Sequence, residues 1–183
     1  MSLLDIHVLG SPVLRKETEL VPKITDEIRR LADDMLETMY AAKGIGLAAP
    51  QVGRLERIAV IDVETGPFAI VNPELVTLEG KVKGEEGCLS IPEIYGDVER
   101  AARVVVRAMG LDGKSFELEA TELLGRCLQH EIDHLHGRLF LDHLGAFRRK
   151  TAMQKWEKRR KEYPTYLRKV TPAEIADHKE DAL

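Results

Sequence analysis

Cysteine is scarce in this 183-residue chain: Cys88 and Cys127 are the only two. Two thiols cannot supply a disulfide framework, and in a reducing compartment each is more often a ligand, a nucleophile or a core filler. Aromatic residues are only 5% of the chain, with a single tryptophan. Long apolar runs are missing as well. No stretch approaches the roughly 18 apolar residues of a membrane span, and "MSLLDIHVLG" lacks the basic start and apolar run of a secretion signal. A soluble cytoplasmic protein is expected, with no membrane partner. A large excess of charge of either sign is also missing, since 32% charged residues leave a net charge of only -4. Global attraction to DNA or to an acidic membrane is therefore not expected.

The length fits one domain that buries its own core. Within it, "ITDEIRRLADDMLETMYAAKG" has helical spacing, with Thr25 as cap, acids in the first turn and Gly44 to end it. The β-branched runs "RIAVIDV" and "FAIVNPELV" read as strands, the second broken at Asn72-Pro73. Asp112-Gly113 lies between two further strand-like runs and signals a hairpin. "TELLGRCLQHEIDHLHG" returns to helical spacing, with Thr121 able to cap it and Gly137 to stop it. "AFRRKTAMQKWEKRRKEY" reads as a second helix ending before Pro164. Thr171 and Glu174 then form a capping box in a tail expected to lie outside the core.

The chemistry concentrates in three places. In "QHEIDHLHGRLF", His130 and His134 stand four apart, so a helix puts both on one face, with Glu131 beside them. Two imidazoles and a carboxylate suit metal-assisted hydrolysis; histidines hydrogen-bonded in a core would show the same spacing. A third ligand has to decide. The metzincin continuation ends in a histidine where this chain has Phe140, which excludes that class. A downstream glutamate, Glu157 or Glu162, would make a metallopeptidase that cuts internal amides, yet both lie among lysines and arginines on a helix that reads as solvated. Upstream, "GEEGCLSIPE" presents Cys88 after Gly87 in a short loop bounded by Pro92. One thiolate and two imidazoles leave a fourth position open, as a catalytic site requires.

The third place is "GIGLAAPQVG", residues 44 to 53. Gly44-x-Gly46-x-x-Ala49 superficially matches a dinucleotide loop, but a helix precedes it and Pro50 follows, which is the wrong context. The glycines instead signal backbone that must come close to a neighbouring strand or a ligand. Gln51 adds a side-chain amide able to donate to a carbonyl oxygen that gains charge.

Together "GIGLAAPQ", "EGCLS" and "QHEIDHL", in this order and at these separations, resemble the three signature motifs of the type 1 bacterial peptide deformylases. The resemblance runs from "VLRKETELV" to about Leu144. It implies an α+β fold: a compact single domain with antiparallel or mixed sheets around a central metal-binding helix, and a C-terminal helical extension. Residues 1–147 would be the catalytic domain and 148–183 a basic helix and tail of the same unit. It further implies one divalent metal on Cys88, His130 and His134, Fe2+ in the cell, with Zn2+, Ni2+ or Co2+ as alternatives. The reaction implied is removal of the formyl group from N-formylmethionyl peptides. Glu131 would carry the proton, while the Gln51 amide and the Leu89 N–H would hold the oxyanion.

By the same resemblance, substrate would lie extended near Ile45, Gly46 and Gly87, with methionine in a pocket made by Ile45, Leu123, Cys127 and the stem of Arg126. Glu86 and Arg100 would orient the ligands from behind. His7, His136, His143 and His178 have no counterpart in the motifs and read as surface or packing histidines. Segment 148–161 holds eight basic residues and one acid, Glu157, a local charge of +7. A solvated helix is the plain reading, and contact with the ribosome is the functional one. A monomer is expected, and a non-catalytic, ribosome-associated metal-binding protein stays open as an alternative.

Overall fold

A computed structural model describes residues 2–172. Its main elements, in chain order, are β1 (Ile6–His7), α1 (Asp26–Ala41), β2 (Gly46–Ala48), β3 (Ile58–Ile61), β4 (Phe68–Glu79), β5 (Val82–Cys88), β6 (Ile91–Arg100), β7 (Arg103–Met109), β8 (Ser115–Thr121), α2 (Glu122–Leu135), α3 (Ala146–Arg159) and β9 (Leu167–Arg168). Five strands form one antiparallel sheet in the order β2-β3-β4-β7-β8, while β5 pairs with β6 and β1 with β9. This is the expected α+β class. Among the described residues, no helix is long and apolar enough to cross a membrane.

Both faces of this sheet are covered around β3, which explains its unbroken "IAVI" sequence. Ile58 and Val60 pack with Leu31, Met35 and Met39 of α1. Ala59 and Ile61 point the other way, toward Cys127, Leu128, Ile132 and Leu135 of α2. Each such aliphatic side chain contributes about 1.5–3 kcal/mol by leaving water. The helix that bears His130 and His134 is therefore clamped against a sheet, which fixes where its histidine face lies.

Element ends follow local chemistry, though not always the residues expected. Thr25 caps α1, its hydroxyl accepting from the Ile28 N–H at 3.3 Å. Lys43, at φ 60°, rather than Gly44, takes the left-handed position after α1. The Gly44 N–H then bonds Met39 O at 2.9 Å and the Lys43 N–H bonds Tyr40 O at 3.0 Å, a Schellman closure. Thr121 makes no side-chain cap on α2; the chain enters that helix through a left-handed Glu122, at φ 53°. Gly137, at φ 70°, does follow its last turn.

Asn72-Pro73 does not break β4. Pairing with β7 shifts register between Val71 and Glu74, a bulge in one long strand. Asn72, at φ 51°, spends its amide on Val21, accepting from the N–H and donating to the C=O at 2.8 Å each. Asp112-Gly113 does turn the chain from β7 to β8.

The C-terminal helix is not a loose extension. Trp156 is 1% exposed and Ala152 is buried, both packed with Ile94 and Val98 of β6 and with Phe140 and Leu144. Its remaining surface is basic and exposed, as expected. Glu174 and His178 lie outside the described residues.

Candidate metal centre and substrate cleft

Cys88 closes β5, pairs with Ile91 across the two-residue turn Leu89-Ser90, and so sits at the tip of a hairpin rather than in a free loop. That tip meets the face of α2. Cys88 Sγ lies 3.4 Å from His134 Nε2, which is 3.2 Å from His130 Nε2. A tetrahedral ion with bonds of about 2.05 Å to nitrogen and about 2.3 Å to sulfur would require edges of about 3.3 Å and about 3.6 Å. The donor set fits a metal ion before any is added. Among the described residues these three form the one cluster of metal-ligating type. Glu157 and Glu162 stand elsewhere, in ion pairs with Arg160 and Arg159.

Behind His130 runs a buried chain of charge. Its Nδ1 donates to Glu86 Oε1 at 2.8 Å, which leaves the Nε2 lone pair for a metal. Arg100 holds Glu86 through two bonds of 2.8 Å and reaches Asp133 Oδ2 at 2.6 Å. Arg126 adds a bond of 2.7 Å to Glu86. Burial alone would raise the Glu86 carboxyl, but hydrogen bonds from Arg100 and His130 outweigh it and hold it well below the usual carboxylate range. Ionised, Glu86 can only accept, and this fixes the His130 tautomer. Glu86 and Arg100 are thus buried, at 6% and 5% exposure, not on the surface.

Asp133 and His143 belong to the same chain, with His143 Nε2 at 2.7 Å from Asp133 Oδ2. Asp133 is not singled out by sequence reasoning, and His143, expected as a surface or packing histidine, instead joins this network through Asp133 and Arg100. Asp133 occupies a variable position inside the His-Glu-x-x-His pattern, and that placement is the only sequence signal it carries. His136 and His7 do find ordinary partners, Glu17 and Ser11.

Glu131 is 4% exposed. Burial raises its carboxyl to about 7, with His130 and Arg100 opposing and Glu86 and Asp133 adding. Its Oε2 is buried with no hydrogen-bond partner among the described residues. Oε1 presses on Gly46, where a Cβ would collide with it and lie 2.9 Å from Cys127 Sγ. Similarly, a Cβ on Gly44 would come 2.6 Å from Leu89 Cδ1. The close approaches that the glycine stretch requires are therefore to side chains of the other two motifs. On His134, burial pushes the imidazole well below its ordinary value, and the His130 and Arg100 charges add to this.

Gln51 completes the group. Its Oε1 accepts from the Ala48 N–H at 2.9 Å, so its amide nitrogen faces Ser90 Oγ at 3.1 Å and Cys88 Sγ at 3.7 Å. A cleft of about 620 Å³ opens onto these atoms, and Ile45, Gly46, Gly87, Leu89, Leu123, Arg126 and Cys127 all line it. Arg126 is also a brace, donating to Val98 O at 2.9 Å and Val82 O at 3.0 Å. Cys127, turned toward Ile45 O, takes no place among the ligands.

A helix offering two imidazoles and a buried carboxylate to a thiolate, at the head of an open cleft, defines a metal-dependent hydrolase. Residues 3–150 match the family model described as polypeptide deformylase. The chain is 50% identical over 161 residues to the peptide deformylase of Hydrogenovibrio crunogenus, covering 86% of this chain and 95% of the relative. It is 52% identical to that of Alkalilimnicola ehrlichii, covering 86% and 91%. Among solved structures, the peptide deformylase of Legionella pneumophila superposes with a TM-score of 0.84 at 42% identity, covering 87% and 96%. That of Synechococcus elongatus in complex with actinonin superposes at 0.81 with 44% identity, covering 84% and 86%.

The chain belongs to the peptide deformylase family, metal-dependent hydrolases that remove the formyl group from nascent peptides.

Proposed function

We propose that deformylation is carried out here by Cys88, His130 and His134 as ligands of one divalent ion, Glu131 as proton carrier, and the Gln51 amide with the Leu89 N–H as oxyanion donors. The observation that carries this reading is the convergence of one sulfur and two Nε2 atoms at tetrahedral edge lengths. A divalent ion held there supplies Lewis acidity toward water and the formyl carbonyl. Thiolate and imidazole donors, with burial behind them, suit Fe2+ as the cellular ion and accept Zn2+, Ni2+ or Co2+.

Glu131 takes a proton from the attacking water and returns it to the departing amide nitrogen. Its burial beside His130 and His134 places this carboxylate where it can serve both halves of that task. The Gln51 amide, oriented by Ala48, meets the charge that develops on the formyl oxygen. Substrate runs extended past Ile45, Gly46 and Gly87, and methionine enters between Ile45, Leu123, Cys127 and the Arg126 stem.

The test is formate release from a formyl-Met peptide by protein prepared without oxygen, together with metal analysis. Glu131→Ala and Cys88→Ser are both expected to abolish turnover, and full activity in either variant would remove this mechanism. Cys88→Ser should also lose bound metal.

The cytoplasm is the proposed compartment and a monomer the proposed state, checked by sedimentation. The exposed basic face of α3 is proposed to contact the ribosome through phosphate or acidic protein groups. Since Trp156 anchors this helix in the core, charge reversal at Lys150, Lys155, Lys158 and Lys161 is a cleaner test than deletion. Unchanged co-sedimentation with ribosomes at rising salt would remove the proposal.

A further inference from the structure

The turn between β5 and β6 carries the Leu89 N–H directly after Cys88, so whatever fixes that turn fixes a metal ligand and an oxyanion donor together. Ser90, the second residue of the turn, is 0% exposed. It is held at two points. Its hydroxyl accepts from the Gln51 amide at 3.1 Å, and its carbonyl accepts from the Leu9 N–H at 2.9 Å.

The hydroxyl contact governs how Gln51 is aimed. A primary amide has one acceptor oxygen and two N–H groups. Here the oxygen is taken by the Ala48 N–H and one N–H by Ser90, which leaves the second N–H on the cleft, toward Cys88 Sγ at 3.7 Å. Without the Ser90 hydroxyl the amide keeps a single anchor, and the broad torsion at its end lets it swing.

The main-chain contact leads away from the site. Leu9 O accepts from the Trp156 indole N–H at 3.2 Å, so Leu9 stands between Ser90 and α3 with both of its polar main-chain groups engaged. On either side of it the strand is tied to the C-terminal segment. The Val8 N–H donates to Tyr166 O at 3.0 Å, and the Tyr166 ring fills the space over Gly10, whose φ of +109° and close approach both exclude a side chain. Tyr163 stacks on the Trp156 indole, with centroids 6.0 Å apart and planes inclined by 15°. Trp156, Tyr163 and Tyr166 all lie beyond residue 150, where the match to the family ends. Ser90 is inside the matched stretch, and the support behind it is not.

We propose that Ser90 is a positioning residue for both oxyanion donors, aiming the Gln51 amide through its hydroxyl and the Leu89 N–H through its carbonyl, and that Trp156 of the C-terminal helix holds it there through Leu9. The inference rests on the reading of Gln51 and Leu89 as the oxyanion donors. A Trp156 that only stabilises the fold would leave the rate of metal-loaded enzyme alone. A Trp156 that acts through the turn sets kcat.

The experiment measures kcat and KM on formyl-Met-Ala-Ala, with rates expressed per bound metal so that unfolded protein is not counted. Ser90→Ala should lower kcat about 10-fold, less than the about 100-fold of losing an oxyanion donor outright, with KM within about twofold of wild type. Trp156→Phe keeps a ring against Tyr163 and removes the indole donor. Its kcat should fall about 3- to 10-fold, since the turn shifts by a fraction of the roughly 1 Å misplacement that costs about 100-fold. In a Gln51→Ala background Ser90→Ala should cost less than about twofold, because no amide is left to aim and the two losses do not add. A kcat within about twofold of wild type in either single variant, or the same loss from Ser90→Ala with and without Gln51, overturns the proposal. Full activity of Gln51→Ala alone, or no formate from wild type, would instead defeat the underlying reading of the site.

Discussion

Gly46 and Glu131 share a space that admits no methyl group. The atoms a Cβ would meet are the Glu131 carboxylate and Cys127 Sγ, both ends of side chains rather than backbone. Gly46→Ala should accordingly leave the fold standing and move the Glu131 carboxylate, the proposed proton carrier, instead. A misplacement of this size is expected to lower kcat by up to about 100-fold, with the thermal midpoint little changed. Equal kcat in wild type and variant would show that this contact does not set Glu131. Gln51 permits a sharper substitution. Gln51→Glu keeps the acceptor for the Ala48 N–H but removes the donor facing Cys88 and Ser90. The loss of one oxyanion donor costs about 3 kcal/mol, so kcat should fall about 100-fold on formyl-Met-Ala-Ala. Unaltered kcat would leave the Leu89 N–H and the metal as the whole oxyanion site.

Between elements, two guanidinium groups join the β5–β6 hairpin to α2, Arg126 from the helix and Arg100 from the hairpin. Arg100 is 5% exposed and neutralises both Glu86 and Asp133. Arg100→Met would leave two buried carboxylates short of a partner, which costs about 3–5 kcal/mol when one member of such a network is removed. It should also loosen the His130 ring and weaken metal binding by about 10- to 100-fold. Urea unfolding and metal retention against a chelator measure the two effects; an unchanged chelation rate would confine Arg100 to a structural role. This network marks where the sequence stops being legible. His130, Glu131 and His134 can be read because one helix turn separates them, and Cys88 because a metal pair needs a third donor. Glu86 and Arg100 are expected only through the resemblance, and Asp133 not at all, because the three meet only when a hairpin folds onto a helix and no local spacing encodes that. The same limit explains β4. Asn72-Pro73 reads as a break, and only the distant Val21 main chain turns it into a bulge.

Over the whole molecule, α1, α2 and the interior strands are legible because apolar spacing is fixed by burial on particular faces. The C-terminal segment is not. Its eight basic residues mask Ala152 and Trp156, so that a helix with one anchoring face reads as solvated. The first and last described strands are in fact bound together: β9 lies along β1, and Arg15 near the start grips Asp142 just before α3. Burial alone would raise the Asp142 carboxyl, yet the Arg15 fork, the Leu139 N–H and nearby Arg149 together hold it below its ordinary value. A carboxyl lowered on folding adds stability that is present above the unfolded pKa and disappears as pH falls through the folded one. Both partners are partly exposed, so the contribution is about 1 kcal/mol after screening. Asp142→Asn should therefore be less stable than wild type near pH 7 by about that amount. The gap should close as pH falls below about 4, the ordinary aspartate value. Urea midpoints for the two proteins across this range decide the matter, and a gap that stays constant with pH would mean that shape rather than charge holds these segments together.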